Sequence, residues 1–308
     1  MQFVNSRVWR VCLVIVACSV SVEMSVQADD AGPKYTLQYR FLETKVAHYT
    51  VENQSKVELH QGEAEQVVEH SETTDKHYRV GVDLDGDAVL EMSIDRVQMS
   101  ASVDGGDPVK FDSLNGDNPP VQFEGVANQV GQPHVRVKVA PTGEVLSLQW
   151  LLQADTNSIT AKNAGGLDIL VRLPEEPVAI GDKWKEQYET DISVGQGLNK
   201  AVTMQRTYEL KSVEGDIATI RLDTAVITPL HDPEQEAQLI QKTPSGTIKF
   251  DIKRGIMLSR ETSVDRKVVG FSGPNSFVRN VTSRKELFVE GSAAGAVRQA
   301  QGTNGSTR

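Results

Sequence analysis

The carboxylates of Asp83, Asp85 and Asp87 are the densest group of oxygen ligands in this sequence, and cation binding is the chemistry they could perform. A calcium loop of the EF-hand type orders its ligands as D-x-D-x-D-G, with a glutamate further on and a helix on each side. Here Gly86 falls one position early, and the flanking residues alternate as strands do. The pattern therefore predicts a tight β-hairpin turn, and no metal ligand is assigned to it.

Three histidines, His60, His70 and His77, lie in a polar stretch that is rich in glutamate. Zinc sites usually carry paired ligands at a short fixed spacing, as in H-E-x-x-H, and no such pair occurs here. We interpret these histidines as solvated side chains. His134 and His231 have no partner that the sequence identifies, and we predict neither a metal nor a cofactor.

The sequence contains none of the motifs that mark common catalytic centres. Gly195, Gly197 and Lys200 lack the spacing of a phosphate loop, so they predict a flexible hairpin tip. There is no G-x-S-x-G nucleophile elbow, and both cysteines lie within the first 18 residues. We therefore predict that the protein is not an enzyme.

The first 28 residues are typical of a secretory signal peptide. Arg7 and Arg10 form a basic start, residues 11–22 are almost entirely apolar, and Val26 and Ala28 fit the positions that a signal peptidase reads. The apolar run is about 12 residues, shorter than the ~18–20 needed to cross a bilayer. We predict cleavage after Ala28, no transmembrane helix in the mature chain, and export to the periplasm or the extracellular space.

Cys18 leaves a second route of maturation open. Residues 15–18, Ile-Val-Ala-Cys, fit the pattern that precedes a lipid-modified cysteine in bacterial lipoproteins. Cleavage there would leave an acylated Cys18 that anchors the chain to the outer membrane. The other interpretation is that Cys18 is an apolar residue of the signal core. The apolar run continues for four residues beyond Cys18, which favours cleavage after Ala28.

Charge and composition exclude some partners. The chain of 308 residues has a net charge of −10, which becomes −11 once Arg7, Arg10 and Glu23 are removed with the signal. A chain this acidic is not expected to bind nucleic acid or an anionic membrane surface. The roughly 280 residues that remain can bury a substantial core without disulfides.

Alternation of apolar and polar residues predicts a mainly β fold of long antiparallel strands, forming a curved sheet or half-barrel. The apolar positions change parity between Ile94 and Val97, which predicts a β-bulge in one long strand or a turn into a new strand. Asp232-Pro233-Glu234 predicts the start of one short helix. The alternating segments include residues 35–41, 90–94, 135–139, 220–222 and 248–252.

We predict one β-rich domain over residues 33–290, preceded by the signal peptide and followed by a tail over residues 291–308. The tail lacks hydrophobic periodicity and is rich in small and polar residues, which predicts disorder. A weak internal similarity divides the domain into halves at about 33–150 and 174–290. Two pseudo-repeats are one interpretation, and chance similarity among hairpin turns is the other. The similar segments are 78–80 with 208–210, 110–112 with 249–251, and 143–147 with 255–259.

The most distinctive local pattern runs from Leu173 to Trp184, with the sequence L-P-E-E-P-V-A-I-G-D-K-W. Its two prolines favour an extended backbone, the Gly-Asp pair favours a turn, and Trp184 opens a strand. We interpret Trp184 as a core anchor, with a ligand-lining role as the alternative.

In this segment the chain resembles a family of uncharacterised exported bacterial β-rich proteins, a domain of unknown function, that carries an L-P-x-x-P-V-x-x-G-D-x-W segment between two β-rich halves. The resemblance covers residues 35–290. It implies an exported β-rich protein, and it implies no catalytic, cofactor-binding or metal-binding residue.

Two functions are compatible with these observations. The one we favour is a structural or protein-interaction module of the cell envelope, which predicts a filled core and an exposed apolar patch that docks an envelope protein. The alternative is a periplasmic binding or carrier protein for a lipid or other hydrophobic small molecule. That function predicts an apolar cavity of several hundred Å³.

Overall fold

The computed structural model of the protein describes residues 32–41, 46–84, 87–116, 118–152, 169–195 and 197–290. All of them belong to one compact unit that begins at Gly32. The predicted signal peptide with Cys18 and Ala28, the polar connector after residue 152 and the predicted tail over residues 291–308 lie outside the described residues.

The described residues form twelve antiparallel strands and two short helices, which confirms the mainly β prediction. The helices are α1 (Glu124–Ala127) and α2 (Pro233–Leu239), each joined to a 3-10 turn, Val121–Phe123 and Ile240–Lys242 respectively. The strands are β1 (Val46–Gln61), β2 (Ala64–Val82), β3 (Ala88–Val103), β4 (Val109–Asp112), β5 (Pro133–Val139), β6 (Val145–Trp150), β7 (Lys183–Ser193), β8 (Asn199–Glu214), β9 (Ile217–Val226), β10 (Ser245–Asp251), β11 (Ile256–Val269) and β12 (Ser276–Val289).

All twelve strands form one open sheet in the order β6-β5-β3-β2-β1-β12-β11-β10-β9-β8-β7, with β4 paired to β3 beside β5. β12 therefore lies between two groups of five strands. Across the sheet the first group has the order β6-β5-β3-β2-β1 and the second the order β11-β10-β9-β8-β7, so strand numbers decrease in the same direction in both groups. A helix lies before β5 in one group and before β10 in the other. The order repeats as two pseudo-repeats would require, while a duplication of the sequence itself stays a prediction.

Two of the three similar segment pairs occupy equivalent places in this order. Segments 78–80 and 208–210 lie on β2 and β8, and the turns at Gly143 and Gly255 join β5 to β6 and β10 to β11. Segment 110–112 forms β4, whereas segment 249–251 lies on β10, so this third pair is not equivalent in the strand order.

The sheet curls, so that its two groups of strands meet on the segment 32–41. The amide of Tyr39 donates to the carbonyl of Pro141 at 2.8 Å, and the next amide, of Arg40, donates to the carbonyl of Gly255 at 3.1 Å. Pro141 precedes β6 and Gly255 precedes β11. In a flat sheet these two turns would lie six strand spacings apart, about 29 Å. Only a curled sheet lets both dock on neighbouring residues.

The segment from Tyr35 to Phe41 is not the strand that its alternation predicts. Tyr35 forms an isolated bridge with Val178, and residues 36–41 pair with no strand in the described part of the chain. Leu37 and Tyr39 nevertheless lie in the core, with 1% and 6% of their surface exposed. Alternation therefore predicted correctly which side chains are buried. It did not predict that the segment crosses the inside of the curled sheet and pairs with no strand among the described residues.

The change of parity after Ile94 is a β-bulge in one long strand. The register of β2 with β3 shifts between Asp75 and Lys76, which pair with Arg96 and Ile94 respectively. Asp95 is the extra residue between them. The bulge interpretation is confirmed, and the alternative of a new strand is wrong.

The predicted helix start at Asp232 is also confirmed. The Asp232 side chain accepts a hydrogen bond from the amide of Glu234 at 2.9 Å, and Pro233 occupies the first helical position. Such a cap satisfies an amide that the helix itself leaves unpaired. Leu239 and Ile240 at the end of α2 are buried.

Docking of the β10–β11 turn on Arg40 gives a first testable prediction. Gly255 has a φ of +64°, and an added Cβ would lie 2.4 Å from the Arg40 nitrogen. We expect Gly255→Ala to lower the free energy of unfolding by about 3 kcal/mol, because a left-handed backbone and a clash add together. Gly215 is the control, with a φ of +59° and nothing within 4 Å of an added Cβ.

Gly215→Ala should cost only the backbone penalty, about 1 kcal/mol. Urea denaturation of both variants measures the difference. Equal losses for Gly255→Ala and Gly215→Ala would contradict docking of the turn on Arg40.

Candidate functional site

The aspartates of the first candidate contact a lysine. Lys138 Nζ on β5 lies 2.8 Å from Asp83 Oδ2 and 2.7 Å from Asp87 Oδ2. Hydrogen bonding to these two carboxylates raises the pKa of Lys138 well above its usual value. The predicted hairpin is confirmed by the pairing of β2 with β3, while Asp85 and Gly86 lie outside the described residues.

The two glycines that lack the spacing of a phosphate loop lie at a hairpin tip, as predicted. Gly195 and Gly197 both have positive φ between β7 and β8, and Lys200 lies on β8. Gln196 between the glycines lies outside the described residues.

The three histidines of the polar stretch do not come together. Each lies on the long β1–β2 hairpin beside a different carboxylate. The contacts are His60 Nδ1 to Glu65 Oε1 at 3.1 Å, His70 Nε2 to Glu72 Oε2 at 3.7 Å, and His77 Nδ1 to Asp95 Oδ1 at 2.8 Å.

His77 has a second histidine beside it that the sequence analysis did not consider. His48 lies directly opposite His77 on β1, and their ring centroids are 5.6 Å apart. His48 Nδ1 is also 3.8 Å from Asp95 Oδ2. Asp95, the bulge residue, lies two residues after Ser93, the register partner of His77, so its carboxylate is on the same face of the sheet as the histidine pair.

Trp184 holds the segment 169–181 against the sheet. Its ring stacks on Tyr208 with centroids 5.6 Å apart and planes at 14°, and its indole N–H donates to the carbonyl of Arg172 at 2.9 Å. It also lines a surface depression of about 310 Å³ together with Pro174 and Lys185. These contacts are those of an anchor, and Trp184 remains only partly buried.

A buried ion cluster was not anticipated from the sequence. It lies on the face of the sheet that carries the core, here called the inner face. Glu286 on β12 is fully buried, and its two oxygens lie 2.7 Å from Lys76 Nζ and 2.6 Å from Arg260 Nη2. Lys76 Nζ also donates to the Tyr78 hydroxyl at 3.1 Å. Charges are buried at tolerable cost only when they are paired in this way.

The charges of this cluster control its titration. Burial by itself raises the pKa of Glu286, but the positive charges of Arg260, Lys76 and Arg284 outweigh it and lower the pKa from 4.5 to about 2. For Lys76, burial lowers the pKa, and the hydroxyl of Tyr78 together with Glu286 produces a net increase. Glu286 and Lys76 are therefore both charged at neutral pH.

A small cavity adjoins the ion cluster. Its volume is about 190 Å³, below the roughly 300–1,000 Å³ that is typical of ligand pockets. Its wall is mixed. The polar side chains include Glu72, Lys76 and Arg284, and the aliphatic ones include Val51 and Ile169.

Beyond the core, the inner face of the long hairpins carries an aliphatic patch. Register pairs Val57 with Val68 and Val68 with Val103, and it pairs Leu59 with Val278 and Val278 with Val268. Val103 is 49% exposed and the other five are partly exposed. The aliphatic patch therefore comprises Val57, Leu59, Val68, Val103, Val268 and Val278.

A groove extends this patch. It has a volume of about 490 Å³ and runs beside α2, where Leu230, Ile240 and Arg266 line it together with Val268 of the aliphatic patch. The patch and the groove thus share a residue and form one continuous surface.

Comparison with known proteins finds a family match in the second group of strands. Residues 167–257 match a family of unknown function, DUF6263. This range contains the Leu173–Trp184 segment, and it is shorter than the 35–290 range of the predicted resemblance. No curated protein matches the chain.

One solved structure with a similar course of the chain is that of lipovitellin, from work on its lipid–protein interactions. The identity is 13% and the TM-score 0.45, over 81% of this chain and 25% of the lipovitellin chain. The chain thus spans about a quarter of the length of that relative. Within the described residues, no helix has the length and hydropathy required to cross a bilayer.

Proposed function

We propose that the protein is an exported, non-catalytic interaction module of the cell envelope, and that it docks a protein partner on the aliphatic patch. Export rests on the N-terminal sequence, with cleavage after Ala28 or, alternatively, lipid anchoring at Cys18. The observation that carries the proposal is the contrast between a core filled by the chain itself and an aliphatic surface that the described residues leave open.

Within the part of the chain that the structure describes, a core filled by the chain's own segments argues against a large internal cargo. The space inside the curled sheet is occupied by the chain's own segments 32–41 and 169–181. Leu37, Tyr39, Val171 and Leu173 from these segments are all buried in the main core. A carrier would need that space for its ligand, whereas an interaction module needs it filled for rigidity.

The aliphatic patch supports docking of a protein surface. Six aliphatic side chains on adjacent strands form a contiguous apolar surface, and exposed surfaces of this kind commonly mark interaction sites. The groove beside α2 adds a concave edge, where a side chain of the partner would bind. The long β1–β2 and β11–β12 hairpins supply the rigid support.

Val67 and Val68 provide a matched pair for testing this function. They are neighbours on β2, both are partly exposed, and they point to opposite faces because side chains alternate along a strand. A photo-crosslinking amino acid at position 68 should give one discrete crosslinked product in the cells that make the protein. The same amino acid at position 67 should give none. Mass spectrometry identifies the crosslinked protein.

Introducing a charged residue into the aliphatic patch provides a second test of this function. Val68→Glu should abolish the crosslink formed from a probe at Leu59, while Val67→Glu should preserve it. Crosslinks of equal yield from positions 67 and 68, or a Leu59 crosslink that survives Val68→Glu, would contradict docking on the aliphatic patch.

The second candidate function is a carrier for a small hydrophobic ligand, and the mixed cavity beside Lys76 and Arg284 favours it. That cavity suits a small amphipathic molecule rather than a long lipid. Native mass spectrometry of protein purified from its own envelope distinguishes the two functions. A stoichiometric small-molecule adduct would support the carrier, and a bare polypeptide mass would support the interaction module.

A further inference from the structure

We propose that His48, His77 and Asp95 form a binding site for a divalent transition-metal ion, with Zn²⁺ as the probe. The site lies on the outer face of the sheet, opposite to the core. It is independent of the aliphatic patch on the inner face, so the failure of either proposal leaves the other standing.

The backbone places the three ligands. His48 and His77 are register partners on the antiparallel strands β1 and β2, and such partners have Cβ atoms about 5 Å apart. Asp95 joins them from β3, where it lies two residues after Ser93, the register partner of His77. Because side chains alternate along a strand, Asp95 is on the same face as Ser93 and the histidine pair.

The distances are close to those of a shared ion. One nitrogen from each histidine and one oxygen of Asp95 all lie within 4.8 Å of one another. Asp95 is 2.8 Å from His77 Nδ1 and 3.8 Å from His48 Nδ1. Zinc bonds to nitrogen and oxygen are about 2.0–2.2 Å, so two ligands of one ion lie roughly 3.0–3.6 Å apart. Small side-chain rotations would bring the three atoms to that spacing.

The chemistry of the ligands favours Zn²⁺, Cu²⁺ or Ni²⁺ over Ca²⁺ and Mg²⁺. Imidazole nitrogen suits the transition metals, whereas Ca²⁺ and Mg²⁺ take oxygen ligands. The imidazoles of His48 and His77 have side-chain exposures of 16% and 19%, and Asp95 is more open at 41%. The ion would thus be held by partly shielded nitrogens and would keep a side accessible to solvent.

Calorimetric titration of tag-free, metal-stripped mature protein with Zn²⁺ tests the site, and Co²⁺ absorption in the visible range provides an independent readout. We expect one Zn²⁺ to bind per chain, and we expect His48→Ala to weaken binding by about 10–100-fold. His48→Ala leaves the His77–Asp95 contact in place, so it removes a ligand with little effect on the strand pairing. Asp95→Asn keeps the size of the side chain but removes its charge, and should weaken binding as well.

His60→Ala is the matched control, because His60 lies on the same strand and contacts one carboxylate, Glu65, at 3.1 Å. It should bind Zn²⁺ like the wild type. Circular dichroism without metal shows that each variant is folded, and His48→Gln replaces His48→Ala if that variant is not. The proposal is overturned if the wild type binds less than one equivalent, if His60→Ala weakens binding as much as His48→Ala, or if Asp95→Asn binds as tightly as the wild type.

Discussion

Glu286→Gln is expected to lower the free energy of unfolding by about 3–5 kcal/mol at neutral pH, because it removes the buried negative charge that Lys76 and Arg260 both contact. The pKa of Glu286 supports this magnitude. A decrease from 4.5 to about 2 corresponds to about 3 kcal/mol of stabilisation of the folded state. Urea denaturation at pH 7 measures the loss.

The pH dependence of the same variant gives a separate readout. Because the pKa of Glu286 is lower in the folded than in the unfolded protein, its contribution is fully present above the unfolded value of 4.5. It is lost as pH falls from about 4.5 towards 2. The stability difference between wild type and Glu286→Gln should therefore be constant from pH 7 to 5 and become smaller below pH 4.5.

Glu261→Gln is the control for burial. Glu261 on the adjacent strand β11 forms an exposed ion pair with Lys285 at 3.6 Å. Exposed pairs contribute about 0–1 kcal/mol, so this variant should be almost as stable as the wild type. If Glu286→Gln were as mild as Glu261→Gln, or if its effect did not change with pH, the buried ion cluster would not stabilise the fold.

Trp184→Ala is expected to lower the free energy of unfolding by about 3 kcal/mol, the lower end of the range for large aromatic side chains, because Trp184 is only partly buried. It removes both the stacking on Tyr208 and the hydrogen bond to the Arg172 carbonyl. The segment 169–181 should then be held less firmly, and limited proteolysis should cleave it faster. Urea denaturation measures the stability.

Trp184→Phe separates the two contacts. It keeps an aromatic ring on Tyr208 and loses the indole N–H, so it should cost about 1 kcal/mol. If Trp184→Ala barely changed stability but abolished a small-molecule adduct in native mass spectra, the anchor interpretation would be wrong, and Trp184 would be a ligand-lining residue.

Local chemistry that acts over a few residues was predictable. Alternation identified the long strands, the Asp232-Pro233 pair identified the start of α2, and the parity change after Ile94 indicated a bulge or a new strand. In each case the residues that form the sequence pattern are also the residues that form the structural element, so distant residues are not needed for the prediction.

The sequence also contained partial signals for both unexpected clusters. Lys76 lies at an inward position of β2, between Thr74 and Tyr78, where the alternation calls for an apolar residue. Asp95 likewise lies between Ile94 and Val97, where the change of parity marks an irregularity in the strand. Neither signal predicts which residue the side chain contacts, because Glu286 is 210 positions from Lys76 and His48 is 47 positions from Asp95 in the sequence.

The sequence by itself determined that this is a mainly β protein of long antiparallel strands with one capped helix, and it left a bulge or a new strand open after Ile94. Only the tertiary structure decided that β12 pairs with β1, that the sheet curls around segment 32–41, and that Lys76 meets Glu286. The physical reason is that local patterns set which face of a strand is buried, whereas strand order and curling depend on the packing of the whole core. Partners for buried charges and for metal ligands are selected by that packing.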